Sequence, residues 1–135
     1  MLTTPDMSRD AIRVLIADDH RAVRIGIQRL LASAPDIVVV GEAADGARAL
    51  EMAESLLPDV LLLDVEMPVM DGLQVAGKLR QLQLPVRILA LSAYNDQQYI
   101  LGMLANGARG YLIKDEVPNK LLMAIRSVAA GEAIR

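Results

Sequence analysis

No cysteine occurs among the 135 residues, which removes disulfides and any cysteine-ligated metal centre from consideration. Phenylalanine and tryptophan are also absent, so a core has to be assembled from Leu, Ile, Val, Ala and Met. Although 53% of the residues are hydrophobic, no apolar run reaches the roughly 18 residues that a membrane-crossing helix needs. No basic-then-apolar leader opens the chain, and the expectation is a cytoplasmic protein with no membrane partner. The formal net charge is −3 with no basic cluster, which argues against nucleic acid as the direct partner of this segment. The length suits one domain with a real core and is short for two.

What the chain does contain is short apolar runs punctuated by Gly, Pro, Asp and Asn. Residues 1–10 show little periodicity and read as a tail. Ile12 to Ala17 is a β-branched apolar run broken by Asp18, Asp19 and His20. Val23, Ile27, Leu30, Leu31 and Ala34 then recur at helical spacing, and Pro35-Asp36 stops that helix. Ile37 to Val40 reads as a second strand ended by Gly41. Asp45-Gly46 starts a helix that Pro58 ends, and Val60 to Leu63 forms a third strand running into Asp64. Asp71-Gly72 opens another helix, read as turn and helix-start chemistry. Val86 to Leu91 is strand four, a helix follows from about Asn95 to Ala105, and strand five covers roughly Arg109 to Ile113. The last helix carries Leu121, Leu122, Ile125, Val128 and Ala129 on one face.

Five apolar strands alternating with five helices predict a parallel sheet covered on both faces. Continuous apolar runs, rather than strict alternation, are what a doubly covered strand requires. The right-handed crossover rule favours a doubly wound, flavodoxin-like (βα)5 α/β sheet with strand order 2-1-3-4-5. Ligands bind such sheets beyond the carboxyl ends of the strands, near the switch point between strands one and three.

The residues that follow the strands are therefore the candidate site. Strand one ends in Asp18-Asp19, strand three in Asp64, strand four in Ser92 and strand five in Lys114. Two carboxylates about 5 Å apart at an effective dielectric near 20 repel by about 3 kcal/mol. A divalent, oxygen-seeking cation removes that cost, and Mg²⁺ favours one or two carboxylates together with waters and phosphate oxygens. It also screens a carboxylate nucleophile from an incoming phosphoryl group. Such a nucleophile yields an acyl phosphate. Lys114 supplies a point charge for phosphoryl oxygens, and Ser92 a hydroxyl donor. Singly, each residue has a plainer reading: Asp18 or Asp19 as a helix cap, Lys114 as a solvated side chain, Ser92 as a loop hydroxyl. Their joint placement is what carries the functional reading. His20, the only histidine, reads as a helix-start residue without a catalytic role.

The segment from Leu61 to Gly72 contains D-x-x-M-P-x-M-D-G, beginning at Asp64, and resembles the phosphorylation loop of response-regulator receiver domains in two-component signalling. Asp18-Asp19 resembles that family's acidic pair, Ser92-Ala93 its switch hydroxyl and small residue, and Gly110-Tyr111-Leu112-Ile113-Lys114 its strand-five aromatic and lysine. The likeness runs from about Ile12 to the C-terminus. It implies phosphoryl transfer from a sensor histidine kinase to Asp64, in a signalling phosphoacceptor with slow self-dephosphorylation rather than an enzyme. It implies Mg²⁺, with Mn²⁺ as a substitute, held by Asp18, Asp19, Asp64 and the main-chain carbonyl of Glu66. It implies that Ser92 and Lys114 bind the phosphoryl group, that Tyr111 follows Ser92 inward, and that Glu66 and Tyr94 tune loss of the group. The changed face of helix four and strand five, with Tyr99 on that helix, would then contact a second copy or an output domain.

Ala17-Asp18-Asp19-His20, Gly107 to Leu112, Lys114-Asp115 and Ala124 to Glu132 resemble the NarL/FixJ subgroup. That subgroup implies a receiver over 11–131, the start of a linker over 132–135, and DNA binding only through a C-terminal output domain beyond this segment. One departure is Asp115, where many receivers carry proline after a cis bond. A cis bond before a non-proline residue costs about 3 kcal/mol, so a trans bond and a differently shaped loop are expected. Two rival readings differ in class. A haloacid-dehalogenase-like phosphatase would place its nucleophile after the first strand, with a second Asp two residues on, where this chain has Glu66. A receiver-like interaction module working without phosphorylation would tolerate loss of an acidic residue or the lysine, yet all are present.

Overall fold

The computed structural model describes residues 10–93 and 97–132. Five strands alternate with five helices. They are β1 (Ile12–Ala17), α1 (Arg21–Ala32), β2 (Ile37–Ala43), α2 (Gly46–Leu56), β3 (Val60–Asp64), α3 (Gly72–Gln81), β4 (Arg87–Ser92), α4 (Gln97–Ala105), β5 (Gly110–Ile113) and α5 (Val117–Ala129). The strands form one sheet in the order β2-β1-β3-β4-β5, and all four pairings are parallel. This is the doubly wound order expected from the sequence. The tail and linker readings fall almost wholly on residues 1–9 and 133–135, outside the described residues, as does the expected start of helix four at Asn95.

Side-chain alternation along the strands sorts the core into two layers. Leu15, Leu61, Leu63 and Ala90 meet Ala49 and Ala53 of α2, Val75 and Leu79 of α3 and Met103 of α4. Val14, Ile16, Leu62 and Leu89 meet Ile27 and Leu31 of α1 and Leu121, Ile125 and Val128 of α5. Both faces are covered, which is why the strands read as unbroken apolar runs. All of β3 is buried, including Asp64 at its end. Each buried aliphatic chain contributes about 2 kcal/mol, so Val60 to Leu63 together outweigh the cost of holding one carboxyl group at the strand terminus.

Helix starts follow the local chemistry read from the sequence. The Asp45 carboxylate accepts from the Arg48 N–H at 2.8 Å. Asp71 closes a reciprocal capping box with Gln74, at 2.9 Å in one direction and 3.0 Å in the other. Helix α1 begins at Arg21, directly after His20, where the turn following Asp18 leads into it. One expectation needs correction. Strand β2 does not stop at Gly41 but runs to Ala43, with a register shift opposite Val14 and Leu15. A Cβ at Gly41 would lie 2.5 Å from Met52 Cε. The glycine therefore serves the close approach of α2 to the edge strand rather than ending it. Beyond β5 the chain enters a 3₁₀ turn over Lys114–Glu116, and no cis peptide bond occurs among the described residues. The Lys114–Asp115 bond is thus trans, as expected.

Candidate functional site

Among the described residues the buried polar side chains are Asp18, Asp64 and Ser92. Each stands at or just beyond the carboxyl end of a strand: β1, β3 and β4. Parallel pairing brings these ends to one rim, where Ser92 also registers beside Ile113, the residue before Lys114. The lysine reaches back across the rim. Its Nζ lies 2.8 Å from Asp18 Oδ2 and 3.2 Å from Asp64 Oδ2.

The two contacts differ in kind. Lys114 donates a hydrogen bond to Asp64, whereas the fully buried Asp18 Oδ2 meets the Lys114 ammonium as an ion pair and has no partner beyond that contact. A buried carboxylate oxygen satisfied only by charge is a donor atom open to a cation. Asp18 Oδ1 accepts from the His20 N–H at 2.8 Å, so Asp18 combines the turn-capping role with the site role. Asp64 Oδ1 accepts from the Glu66 N–H at 3.2 Å. Asp19 is more exposed and lies beside His20, whose Nδ1 is 3.1 Å from Asp19 Oδ1 and 3.2 Å from Asp18 Oδ1. Ligand atoms of Asp18, Asp19, His20 and Asp64 all fall within 4.8 Å of one another. An oxygen-rich set of this span fits a hard divalent cation.

Charge crowding marks Asp64. Burial, then the neighbouring Asp18 carboxylate, push its pKa up to about 6, against the opposing pull of Lys114 and the Glu66 N–H. Burial disfavours the Lys114 ammonium, but hydrogen bonding and charge from Asp18 and Asp64 outweigh that and raise its pKa above the usual lysine value. The rim is thus an ionised pair embedded in surplus negative charge, with the surplus on the residue at the end of β3.

A cleft of about 610 Å³ opens over Asp64, lined by Asp19, His20, Glu66, Met67, Tyr99 and Lys114 among others. Of the residues predicted from the sequence, the structure brings Asp18, Asp19, Asp64, Glu66, Ser92 and Lys114 to this rim. Tyr111 is half-buried against the layer that holds α2, α3 and α4 and is not among the residues lining the cleft. Tyr94 lies outside the described residues. His20 stands at the start of α1, as read from the sequence, and also belongs to the carboxylate cluster; its position next to Asp18-Asp19 was the available signal. Tyr99 lies on α4, as read from the sequence, and is half-buried along the cleft, an orientation that no local sequence pattern signals.

Known proteins match this architecture closely. The family model for the response regulator receiver domain matches residues 14–126. The chain is 44% identical over 127 residues to the nitrate/nitrite response regulator protein NarL of Escherichia coli strain K12, covering 94% of this chain and 59% of that relative. The chain thus spans about three fifths of the length of that relative. The structure of the signal receiver domain of NarL from Mycobacterium tuberculosis superimposes with a TM-score of 0.88 at 42% identity, covering 91% of this chain and 99% of that one. The isolated receiver domain of RcsB from Salmonella enterica, solved in the presence of the phosphomimetic BeF3⁻, superimposes with a TM-score of 0.83 at 26% identity, covering 93% and 94%.

Proposed function

We propose, from the premise that this chain belongs to the response regulator receiver family and is of the NarL type, that Asp64 accepts a phosphoryl group from the phosphohistidine of a sensor kinase. The observation that carries this reading is the buried Asp64 carboxylate, paired with Lys114 and within 4.8 Å of ligand atoms on Asp18 and Asp19. In the transfer, an Asp64 oxygen forms a bond to phosphorus as the phosphorus–nitrogen bond of the donor breaks. The imidazole leaves with that electron pair and is protonated. Asp64 must be ionised to attack, and its pKa of about 6 leaves it so at neutral pH. Lys114, already beside Asp64, neutralises a phosphoryl oxygen. Ser92 donates to another, and Tyr111 then moves inward and alters the face made by α4 and β5.

Mg²⁺, or Mn²⁺ in its place, would be held by Asp18, Asp19, Asp64 and the Glu66 main-chain carbonyl. When bound, it supplies charge neutralisation among the carboxylates and electrostatic stabilisation of the transferring group. Glu66 lines the cleft and, with Tyr94, would govern access of water to the acyl phosphate, setting a slow self-dephosphorylation. That the RcsB receiver was solved in the presence of a phosphomimetic supports a phosphoryl-accepting role for this fold. A DNA-binding output domain, as the NarL relatives' length suggests, would carry transcriptional control, with the α4–β5 face contacting it or a second copy. The phosphatase alternative loses its footing because Asp64 follows β3 rather than the first strand.

Incubation with a small-molecule phosphodonor and Mg²⁺ is expected to add one phosphoryl group per chain by intact mass. Chelation of the metal should reduce the rate by at least tenfold, and Asp64→Asn should show only background. Equal incorporation by Asp64→Asn would overturn the proposal.

A further inference from the structure

Asp18 marks the point where the chain leaves the sheet, and its main chain is held from two sides. Its N–H donates to the Ala43 carbonyl at 3.0 Å. Its carbonyl accepts from Arg24 Nη1 at 2.6 Å. Arg24 belongs to α1, one turn after His20, and its own N–H donates to the His20 carbonyl at 3.1 Å. The other arm of the same guanidinium, Nε, lies 3.2 Å from Glu42 Oε1 on β2. Glu42 is the immediate neighbour of Ala43. The links therefore close a ring: Asp18 to Ala43, through the chain to Glu42, across to Arg24, and back to Asp18.

We propose that Arg24, oriented by Glu42, is a positioning residue that sets the divalent-cation affinity of the rim through the main chain of Asp18. The inference rests on the reading of Asp18, Asp19 and Asp64 as cation ligands. Arg24 bonds to the Asp18 carbonyl rather than to either carboxylate of the rim, and it is not among the residues lining the cleft. Its leverage comes from the turn. Asp18 is fully buried, and the carboxylates of Asp18 and Asp19, carried on one dipeptide, converge on the same cluster. Any swing of that peptide moves both carboxylates. Mg²⁺ demands near-ideal octahedral geometry, so a displacement too small to unfold the domain is large enough to weaken the ion's hold. The planar fork of arginine makes two bonds from one rigid group, which a lysine cannot reproduce. Glu42 holds that fork at its other edge, and its carboxylate also offsets the guanidinium charge that would otherwise compete with a cation.

The test is calorimetric titration of Mg²⁺ into the unphosphorylated protein, with thermal unfolding in chelator recorded for every variant. Arg24→Ala is expected to weaken Mg²⁺ binding about tenfold, the range seen when an outer-shell partner of a metal ligand is removed. Arg24→Lys, with the charge but not the fork, should remain at least threefold weaker than wild type. Glu42→Ala should weaken binding severalfold, and the Arg24→Ala/Glu42→Ala pair should be no weaker than Arg24→Ala alone, since both act on one element. Unchanged Mg²⁺ affinity in Arg24→Ala, with only a lower melting temperature, would reduce the ring to a structural tie and overturn the inference. Full recovery by Arg24→Lys would overturn it as well, by assigning the effect to charge rather than position. If wild type itself binds no Mg²⁺, the underlying assignment of the rim fails instead, so the two failures are distinguishable.

Discussion

Asp64→Asn should make the metal-free protein more stable at pH 8, by about 2 to 3 kcal/mol, while removing its capacity to be phosphorylated. The effect is electrostatic. In the unfolded chain the Asp64 carboxyl loses its proton near 3.8, and in the folded chain near 6, because burial and the Asp18 carboxylate disfavour the anion. Between those values the native state binds more protons than the unfolded state, so stability falls as pH rises through that window. Above it the cost is fully present, and two pKa units correspond to about 3 kcal/mol. Asparagine occupies the same volume without the charge and removes the cost. The advantage of the variant over wild type in urea unfolding should therefore be largest at about pH 7 to 8, shrink through about pH 6 to 4, and vanish below about pH 3.8. Divalent cation should narrow the gap from the other side by stabilising wild type selectively. A variant less stable than wild type at pH 8 in chelator would show that Asp64 contributes through its bond to Lys114 rather than costing stability.

The second large effect comes from packing behind the site. A Cβ at Gly46 would sit 1.7 Å from the Met70 carbonyl oxygen and 2.6 Å from its carbonyl carbon. Gly46 opens α2, while Met70 lies in the loop from Asp64 to Asp71 that walls the cleft. The obstruction is backbone, which no rotamer change relieves, so either α2 or the loop has to shift. Gly46→Ala is expected to lose about 3 kcal/mol of stability, at the upper end of overpacking costs, and to slow phosphoryl incorporation by displacing the residues after Asp64. Gly26 provides the contrast. It lies within α1, and a Cβ there would meet nothing within 4 Å. Gly26→Ala should gain about 0.5 to 1 kcal/mol through lower unfolded-state entropy and better helix propensity. Opposite signs for the same substitution, measured by urea unfolding, test the packing account directly.

These contrasts also mark what a sequence can disclose. The runs at 14–17 and 60–63 are legible because both of their faces are buried, so no polar residue interrupts the stretch that crosses the core. Asp64, Asp18, Asp19, Ser92 and Lys114 are legible as one site because a parallel sheet gathers its carboxyl ends, whatever lies between them in the chain. Asp45 and Asp71 are legible as caps because capping is local. Gly41 misleads because a glycine that ends a strand and one that admits a neighbouring helix look alike until α2 is in place. Tyr99 and His20 depend on side-chain direction, and Arg24 on a bond between α1 and the end of β1 that also needs Glu42 from β2. Those are tertiary facts, set by the assembled layers rather than by nearby residues.

The central claim is that Asp64, and no other carboxylate of the rim, carries the phosphoryl group. Borohydride reduction converts an aspartyl phosphate to homoserine and marks its position for peptide mass spectrometry. After phosphorylation with Mg²⁺ and a small phosphodonor, the account predicts homoserine at position 64 alone. Homoserine at position 18, 19 or 71, or an unmodified residue 64 in a protein that has gained phosphate, would contradict it.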